Sequence, residues 1–331
     1  MTINAANKYL IKLDSGSLMP QIGLGTWHSD PGDVGSAVEY ALTKYNYRHL
    51  DCAARYGNEP EIGQSLKKIF SSQKLKREEI FITSKLWNSE HAPDKVEKAC
   101  RQTLKDLNLD YLDLYLVHWG LAFTKTDAEL DKNGTFISAN IPLHQTWEKM
   151  EQLVKKGLVK NIGVANFTAP MLLDLIAYAK IKPAVNQIEI HPYNPQTRLV
   201  KFCHDYGIAV TCYSPLGSPG HFHGANIPVV LKDQAIVKIA DTHHKSPAQV
   251  ILRWDLQRNT IAIPKSVHPE HIKANIDLFD FELTREEMQT IGNLPFHHRY
   301  LDPADWWGVP YFDGISFHLN SFNRPFAPVI A

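Results

Sequence analysis

Apolar residues follow two alternating rhythms along this chain. Short runs rich in β-branched and aromatic residues occupy 22–26, 47–51, 80–85, 112–118, 159–165, 184–190, 208–214 and 260–265, and each reads as a strand. Longer segments between them carry apolar residues three and four apart, as in Val96, Ala99, Cys100, Leu104 and Leu107, the stripe of an amphipathic helix. Pro93 reads as the start of that helix, Pro170 as the first turn of another, and Asn58 as the cap of a third. Ahead of the first run, YLIKL and LMPQI on either side of Asp14-Ser15-Gly16 predict a hairpin within residues 1–22. Two helical segments, 232–243 and 246–258, separate the last two runs, one more than simple alternation needs. Eight strands alternating with helices predict an α/β fold, a (β/α)8 TIM barrel occupying 1–331 as a single domain. The segment 293–331 lacks periodicity and is rich in Pro, Trp, His and Tyr, so a long ordered loop and tail are expected there.

The composition narrows the function classes. Lys plus Arg and Asp plus Glu both number 35, so no net field draws the chain to nucleic acid or to an anionic membrane. No run of about 18 apolar residues is present to span a bilayer, and the N-terminus lacks a signal-peptide pattern. Four cysteines without C-x-x-C spacing favour free thiols and a cytoplasmic location. An open dinucleotide-binding sheet would show G-x-G-x-x-G after its first strand. Gly23-Leu24-Gly25 begins that motif, but Trp27 and His28 break it.

Three successive runs end on titratable side chains: Asp51, Lys85 and His118, with Tyr56 five residues after Asp51. In a parallel β/α fold these ends share one face, where such folds do chemistry. A buried carboxylate needs a cation, and Lys85 is the candidate. A phenol ionises near pH ~10 and is a reluctant donor at neutrality, and a nearby ammonium is expected to lower that value. A neutral His118 would turn a carbonyl oxygen toward Tyr56, giving a proton donor for a carbonyl that receives a hydride. Each residue alone has a structural reading, as ion pair, capping phenol or core histidine. Together at three strand ends they favour a site.

HLDCAARYGNE at 49–59, with LGTW at 24–27, SKLW at 84–87, LYLVHW at 114–119, IGVANF at 162–167, NQIEIHPY at 186–193 and IPKS at 263–266, resembles the aldo-keto reductase superfamily over nearly the whole length. The ending HRYLDPADWWGVPYF at 298–312 is similar to that of xylose and sugar-6-phosphate reductases. The resemblance implies that Asp51, Tyr56, Lys85 and His118 are a catalytic tetrad for reducing an aldehyde or aldose with NADPH or NADH. It implies a nicotinamide over Tyr213, its carboxamide on Asn166 and Gln187, with Gly25 and Thr26 also lining the cofactor. It implies a pyrophosphate loop of Ser214, Leu216 and Ser218, and an adenine end at Lys265, Ser266, Val267, His271 and Asn275. It implies an aromatic substrate cup of Trp27, Trp87, Trp119 and Trp307.

Departures from the family pattern gather around the cofactor. Ala165 replaces a frequent serine, Ala274 a frequent glutamate and His271 an arginine, while His28 and Gly220 stand where a lysine–aspartate belt closes in aldose reductases. Arginine is always charged and histidine mostly neutral at pH ~7, so real use of NADH is expected, with NADPH binding that tightens toward pH ~6. Leu301 replaces an asparagine of xylose reductases, which unsettles pentose selectivity. Arg55, beside Tyr56, reads either as a solvated arginine or as a clamp for an anionic sugar such as a sugar phosphate or uronate.

Two rival readings remain. Sixteen histidines raise a metal-dependent hydrolase, but none of the clusters His243-His244, His297-His298 and His221-Phe222-His223 lies at a strand end beside Asp51 or His118, and solvent-facing histidines without metal are expected. The other rival is a non-catalytic cofactor sensor of the same fold, which turnover would distinguish. A small-molecule carbonyl partner and a monomer or homodimer are expected.

Overall fold

Period-two alternation decides which way each strand residue faces. In the computed structural model, which describes residues 9–218 and 227–312, Leu114 and Leu116 cluster with Phe81, Val185, Ala209 and Ile261, while Tyr115 and Val117 join the layer shared with the helices. The strands of the main sheet are β3 (Leu24–Gly25), β4 (His49–Asp51), β5 (Phe81–Leu86), β6 (Leu112–Val117), β7 (Val159–Ala165), β8 (Val185–Glu189), β9 (Ala209–Tyr213) and β10 (Ile261–Ala262), parallel and in chain order. Parallel bridges Ile22–Ala262 and Gly25–Lys265 join the last strand to the first and close the barrel. The expected runs are all present, but the first and last are trimmed to two residues each. Pro264 has no N–H to donate, so beyond Ala262 the seam runs through carbonyls, with Gly23 N on Ala262 O at 2.9 Å and Gly25 N on Pro264 O at 3.1 Å.

The expected hairpin is β1 (Leu10–Lys12) against β2 (Leu18–Pro20), with Leu10 opposite Pro20. Its Leu13 and Met19 bury into the inner cluster and stopper the N-terminal end of the barrel. The opposite end is left to polar side chains.

The barrel helices are α1 (Asp33–Lys44), α2 (Glu59–Ser71), α3 (Val96–Leu107), α4 (Leu143–Lys155), α5 (Ala169–Tyr178) and α6 (Thr197–Asp205). The expected pair before the last strand follows as α7 (Gln234–His243) and α8 (Pro247–Gln257), then α9 (Pro269–Ile276), α10 (Arg285–Gly292) and α11 (Pro303–Trp307). Pro170 sits in the first turn of α5 as expected. Pro93 does not start α3: a turn closed by Lys95 N on Ala92 O at 2.8 Å comes first, and the helix begins at Val96. Asn58 occupies the cap position of α2 but does not cap it, because its Nδ2 donates to Thr26 O at 2.8 Å. The tail is not all loop, since Asp302 caps α11 by accepting from Ala304 N at 3.0 Å. The helix α10 was not expected, although Thr284 and Glu287 form a capping box legible as T-x-x-E. Among the described residues no helix is long and apolar enough to cross a membrane, and all four cysteines are buried and unpaired.

Candidate active site

Alternation turns Asp51 and Lys85 inward from β4 and β5, and His118 follows β6 on the same side. Tyr56 reaches them from a short 3-10 turn, Ala54–Tyr56. Lys85 is fully buried, and its Nζ donates to Asp51 Oδ1 at 2.5 Å, Cys52 O at 2.9 Å and the Tyr56 hydroxyl at 3.2 Å. The other Asp51 oxygen accepts from Gln187 Nε2 at 2.7 Å. The His118 ring lies 6.0 Å from that of Tyr56 and 5.2 Å from that of Trp87, edge-on to both.

Burial and charge set the protonation states. Burial pulls the Lys85 ammonium down, but Asp51 and Tyr56 together outweigh it and hold the group above its ordinary value. Burial, then the charges of Lys85 and Arg55, hold His118 well below its ordinary value, so it is neutral. Tyr56 corrects the sequence expectation: burial pushes its phenol up to about 12, and the opposing pull of Lys85 does not cancel this. Burial is the main cause, and the Asp51 carboxylate, which sits against the same ammonium, adds a smaller push in the same direction.

The residues expected at the cofactor stand along the ends of β7 to β10, at β3 (Gly25, Thr26) and on α9 (His271, Asn275). Asn166 holds a left-handed φ of 67° just after β7, and its Nδ2 donates to His118 O at 2.9 Å while its Oδ1 accepts from the Tyr213 hydroxyl at 2.7 Å. Beyond Tyr213, Ser214 and Ser218 are also left-handed, at 48° and 44°, and share a 2.7 Å hydroxyl contact, with Leu216 packed against the core between them. Gly25 has no room for a side chain, since a Cβ would meet Ile263 O at 2.7 Å. The Thr26 hydroxyl is spent on Asp51 O at 2.8 Å, a contact within the barrel wall. Lys265 Nζ donates to His28 O at 2.8 Å, and Ser266 Oγ accepts from His268 N at 3.1 Å. Val267 is half-buried and Asn275 buried, whereas His271 is exposed on α9 with its ring 5.3 Å from that of His268. Gly220 lies outside the described residues.

Trp87, Trp119 and Trp307 meet as expected: the Trp307 ring is 6.3 Å from Trp87 and 5.2 Å from Trp119. The Trp27 ring meets His28 edge-on at 4.2 Å. Phe123 and Tyr311 join these rings at 4.9 Å from Trp307 and 5.5 Å from Trp119; Tyr311 lies within the 298–312 ending but neither had been named. Glu189 was also missed. It is fully buried at the end of β8 and accepts from Tyr300 N at 2.7 Å, Leu301 N at 2.9 Å and His191 Nε2 at 2.9 Å, fixing the C-terminal segment that carries Trp307. Burial pushes its carboxyl up, but His191, Arg299 and the Tyr300 N–H outweigh this and hold it below the ordinary value. The signal was present: Glu189 is a charged residue two positions after Gln187, on the same strand face.

Among the described residues no three His, Cys, Asp or Glu side chains gather to hold a metal ion. His243 is half-buried rather than solvent-facing as expected, its Nε2 lying 2.9 Å from Glu287 Oε1 in a contact between α7 and α10. His221 and His223 lie outside the described residues.

A profile of the Aldo/keto reductase family matches residues 21–294. The chain is 49% identical over 321 residues to aldo-keto reductase family 1 member A1 of Xenopus tropicalis, a match covering 95% of this chain and 97% of that one. Against the Homo sapiens protein of the same name it is 46% identical over 323 residues, covering 96% and 98%. The solved aldose reductase from Schistosoma japonicum superposes with a TM-score of 0.84 at 43% identity, over 92% of this chain and 97% of that one. The barrel, the buried Asp51–Lys85 pair and these matches converge: the chain belongs to the aldo/keto reductase family, and it is an NAD(P)H-dependent oxidoreductase.

Proposed function

We propose that this protein reduces the carbonyl of an aldehyde or aldose to the alcohol, with Tyr56 as the proton donor. The contact from Lys85 Nζ to the Tyr56 hydroxyl, at 3.2 Å, carries this reading. A phenol held near 12 keeps its proton at neutral pH and is ready to give it. As the proton leaves, Lys85 is already placed to stabilise the phenolate, and Asp51 keeps Lys85 charged. His118, neutral, presents an imidazole beside Tyr56 that orients the carbonyl oxygen without competing as an acid. A reduced nicotinamide, when bound, supplies the hydride.

The residues fit that cofactor. A side-chain amide has two N–H donors and two lone pairs, and the contacts to His118 O and the Tyr213 hydroxyl use one of each on Asn166. One donor and one acceptor remain, which is what a carboxamide needs. Tyr213 offers its ring, and Lys265 with Ser266 offers a cation and a hydroxyl to a phosphate, while the amide N–H of Gln187 is bonded to Asp51. The exposed His271 in place of an arginine supports use of both NADPH and NADH. Arg55, beside Tyr56 and over the Trp87 ring, supports an anionic sugar among the substrates.

The test is oxidation of NADPH and NADH with glyceraldehyde by the native protein and by Tyr56→Phe. The turnover number should fall by about 10²–10⁴ in the variant while cofactor binding persists. Turnover retained in Tyr56→Phe would remove the tyrosine from this role. A native protein that binds cofactor but turns over no carbonyl would be a sensor.

A further inference from the structure

Arg55 precedes Tyr56 on the same turn, and its side chain is 44% exposed. It lies over the Trp87 ring at 5.2 Å, and Trp87 in turn meets His118 at 5.2 Å. Its charge is felt at His118. The guanidinium is not free: Nη2 donates to Asp127 Oδ1 at 2.5 Å, 72 positions along the chain. Asp127 belongs to the segment between β6 and α4, and that segment is fastened to the rim one residue earlier, where Thr126 O accepts from Trp87 Nε1 at 2.6 Å. Arg55 therefore has two possible roles at this rim, and Asp127 decides between them.

We propose that Asp127 is a built-in competitor for Arg55, and that an anionic sugar or aldehyde acid enters by displacing it. Two features of the pair carry the exchange. Its members are 44% and 79% exposed, so water and salt screen their attraction. It is also a single contact, the one hydrogen bond that the Arg55 side chain makes among the described residues. A guanidinium has five N–H donors in a fork, and a carboxylate or phosphate that meets two of them in parallel binds better than one that meets one. A substrate anion held through its sugar by the aromatic cup reaches Arg55 already oriented, so it wins the fork and releases Asp127. A neutral aldose has nothing to exchange and leaves the pair closed. This rests on the carbonyl-reduction reading and on Arg55 as its anion contact, and adds Asp127 as the residue that sets the threshold for anion entry.

The experiment compares kcat/KM for D-glucuronate and neutral D-xylose in the full-length protein, Asp127→Asn, Arg55→Leu and the double variant. D-gluconate inhibition of glyceraldehyde reduction is measured in parallel, so that anion binding is read even without glucuronate turnover. Asp127→Asn should raise the glucuronate-to-xylose ratio by about three- to fivefold, through KM rather than kcat, and lower the gluconate inhibition constant alike. Arg55→Leu should lower the ratio, and in that background Asp127→Asn should change nothing. Equal gains for both sugars, no gain, or a gain that survives Arg55→Leu would each overturn the proposal. Glyceraldehyde turnover with an unmoved ratio and inhibition constant defeats the proposal alone; no glyceraldehyde turnover in the native protein defeats the carbonyl-reduction reading, and the proposal with it.

Discussion

Lys85 fills its three N–H donors with Asp51, Cys52 and Tyr56, and has no surface in contact with solvent. Lys85→Met would leave the Asp51 carboxylate buried against Gln187 alone, which carries no charge. Removing one partner of a buried pair costs about 3–5 kcal/mol, so this variant should unfold at clearly lower denaturant with an unchanged slope, and lose turnover as well. An unfolding midpoint equal to the native one would mean that Asp51 finds another counter-charge. The membership of this site was legible because period-two alternation puts Asp51 and Lys85 on one face of their strands. The direction of the Tyr56 shift was not legible. It depends on how deeply the ring is buried and on who else holds the ammonium, and neither is a local property of the sequence.

Between elements, the contact of α2 with β5 contains a second buried carboxyl. Glu59 Oε1 accepts from Ser84 Oγ at 2.5 Å, and burial pushes the Glu59 carboxyl up from 4.5 to about 7. A group raised in the folded state binds more protons there than in the unfolded chain. Its stabilising contribution is whole below pH 4.5 and lost as pH climbs through about 7. At pH ~8 the ionised form costs the fold on the order of 3 kcal/mol relative to pH ~4. Glu59→Gln can still accept from Ser84 and has no charge to bury. Its thermal midpoint relative to the native protein should therefore rise between pH 4.5 and pH 7 in thermal unfolding monitored by circular dichroism, the interval these values span. A constant offset between the two proteins across that range would refute the assignment. Element identity was legible here through rhythm and caps, whereas Asn58 misled because its amide serves Thr26 instead of its own helix.

Over the whole molecule, the C-terminal segment is held to the barrel at Glu189, 111 and 112 positions before the N–H groups it accepts from. Glu189→Gln turns one of those acceptors into a donor facing a donor. The segment carrying Trp307 and Tyr311 should then loosen, raising KM for the carbonyl by about fivefold or more, and limited proteolysis should cut within 297–312 before it cuts the barrel. Cleavage at the native rate would show that the aromatic contacts suffice. Such long-range pairs, like Arg55 with Asp127, have no periodic or motif signature, so the fold was read from the chain more completely than the wiring of its rim.

The closing seam has a consequence for synthesis. Gly25 pairs with Asp51 on one edge, but on the seam edge Ile22 and Gly25 meet their partners at Ala262 and Lys265. On a ribosome adding about 5–20 residues per second, the first strand waits on the order of ten to fifty seconds with one edge bare. A nascent chain in that interval carries an open, partly built sheet, the form in which strands pair with the wrong neighbour. Gly25 and Lys265 are also where the expected cofactor wall begins and ends, so the wall is completed only when those last residues emerge.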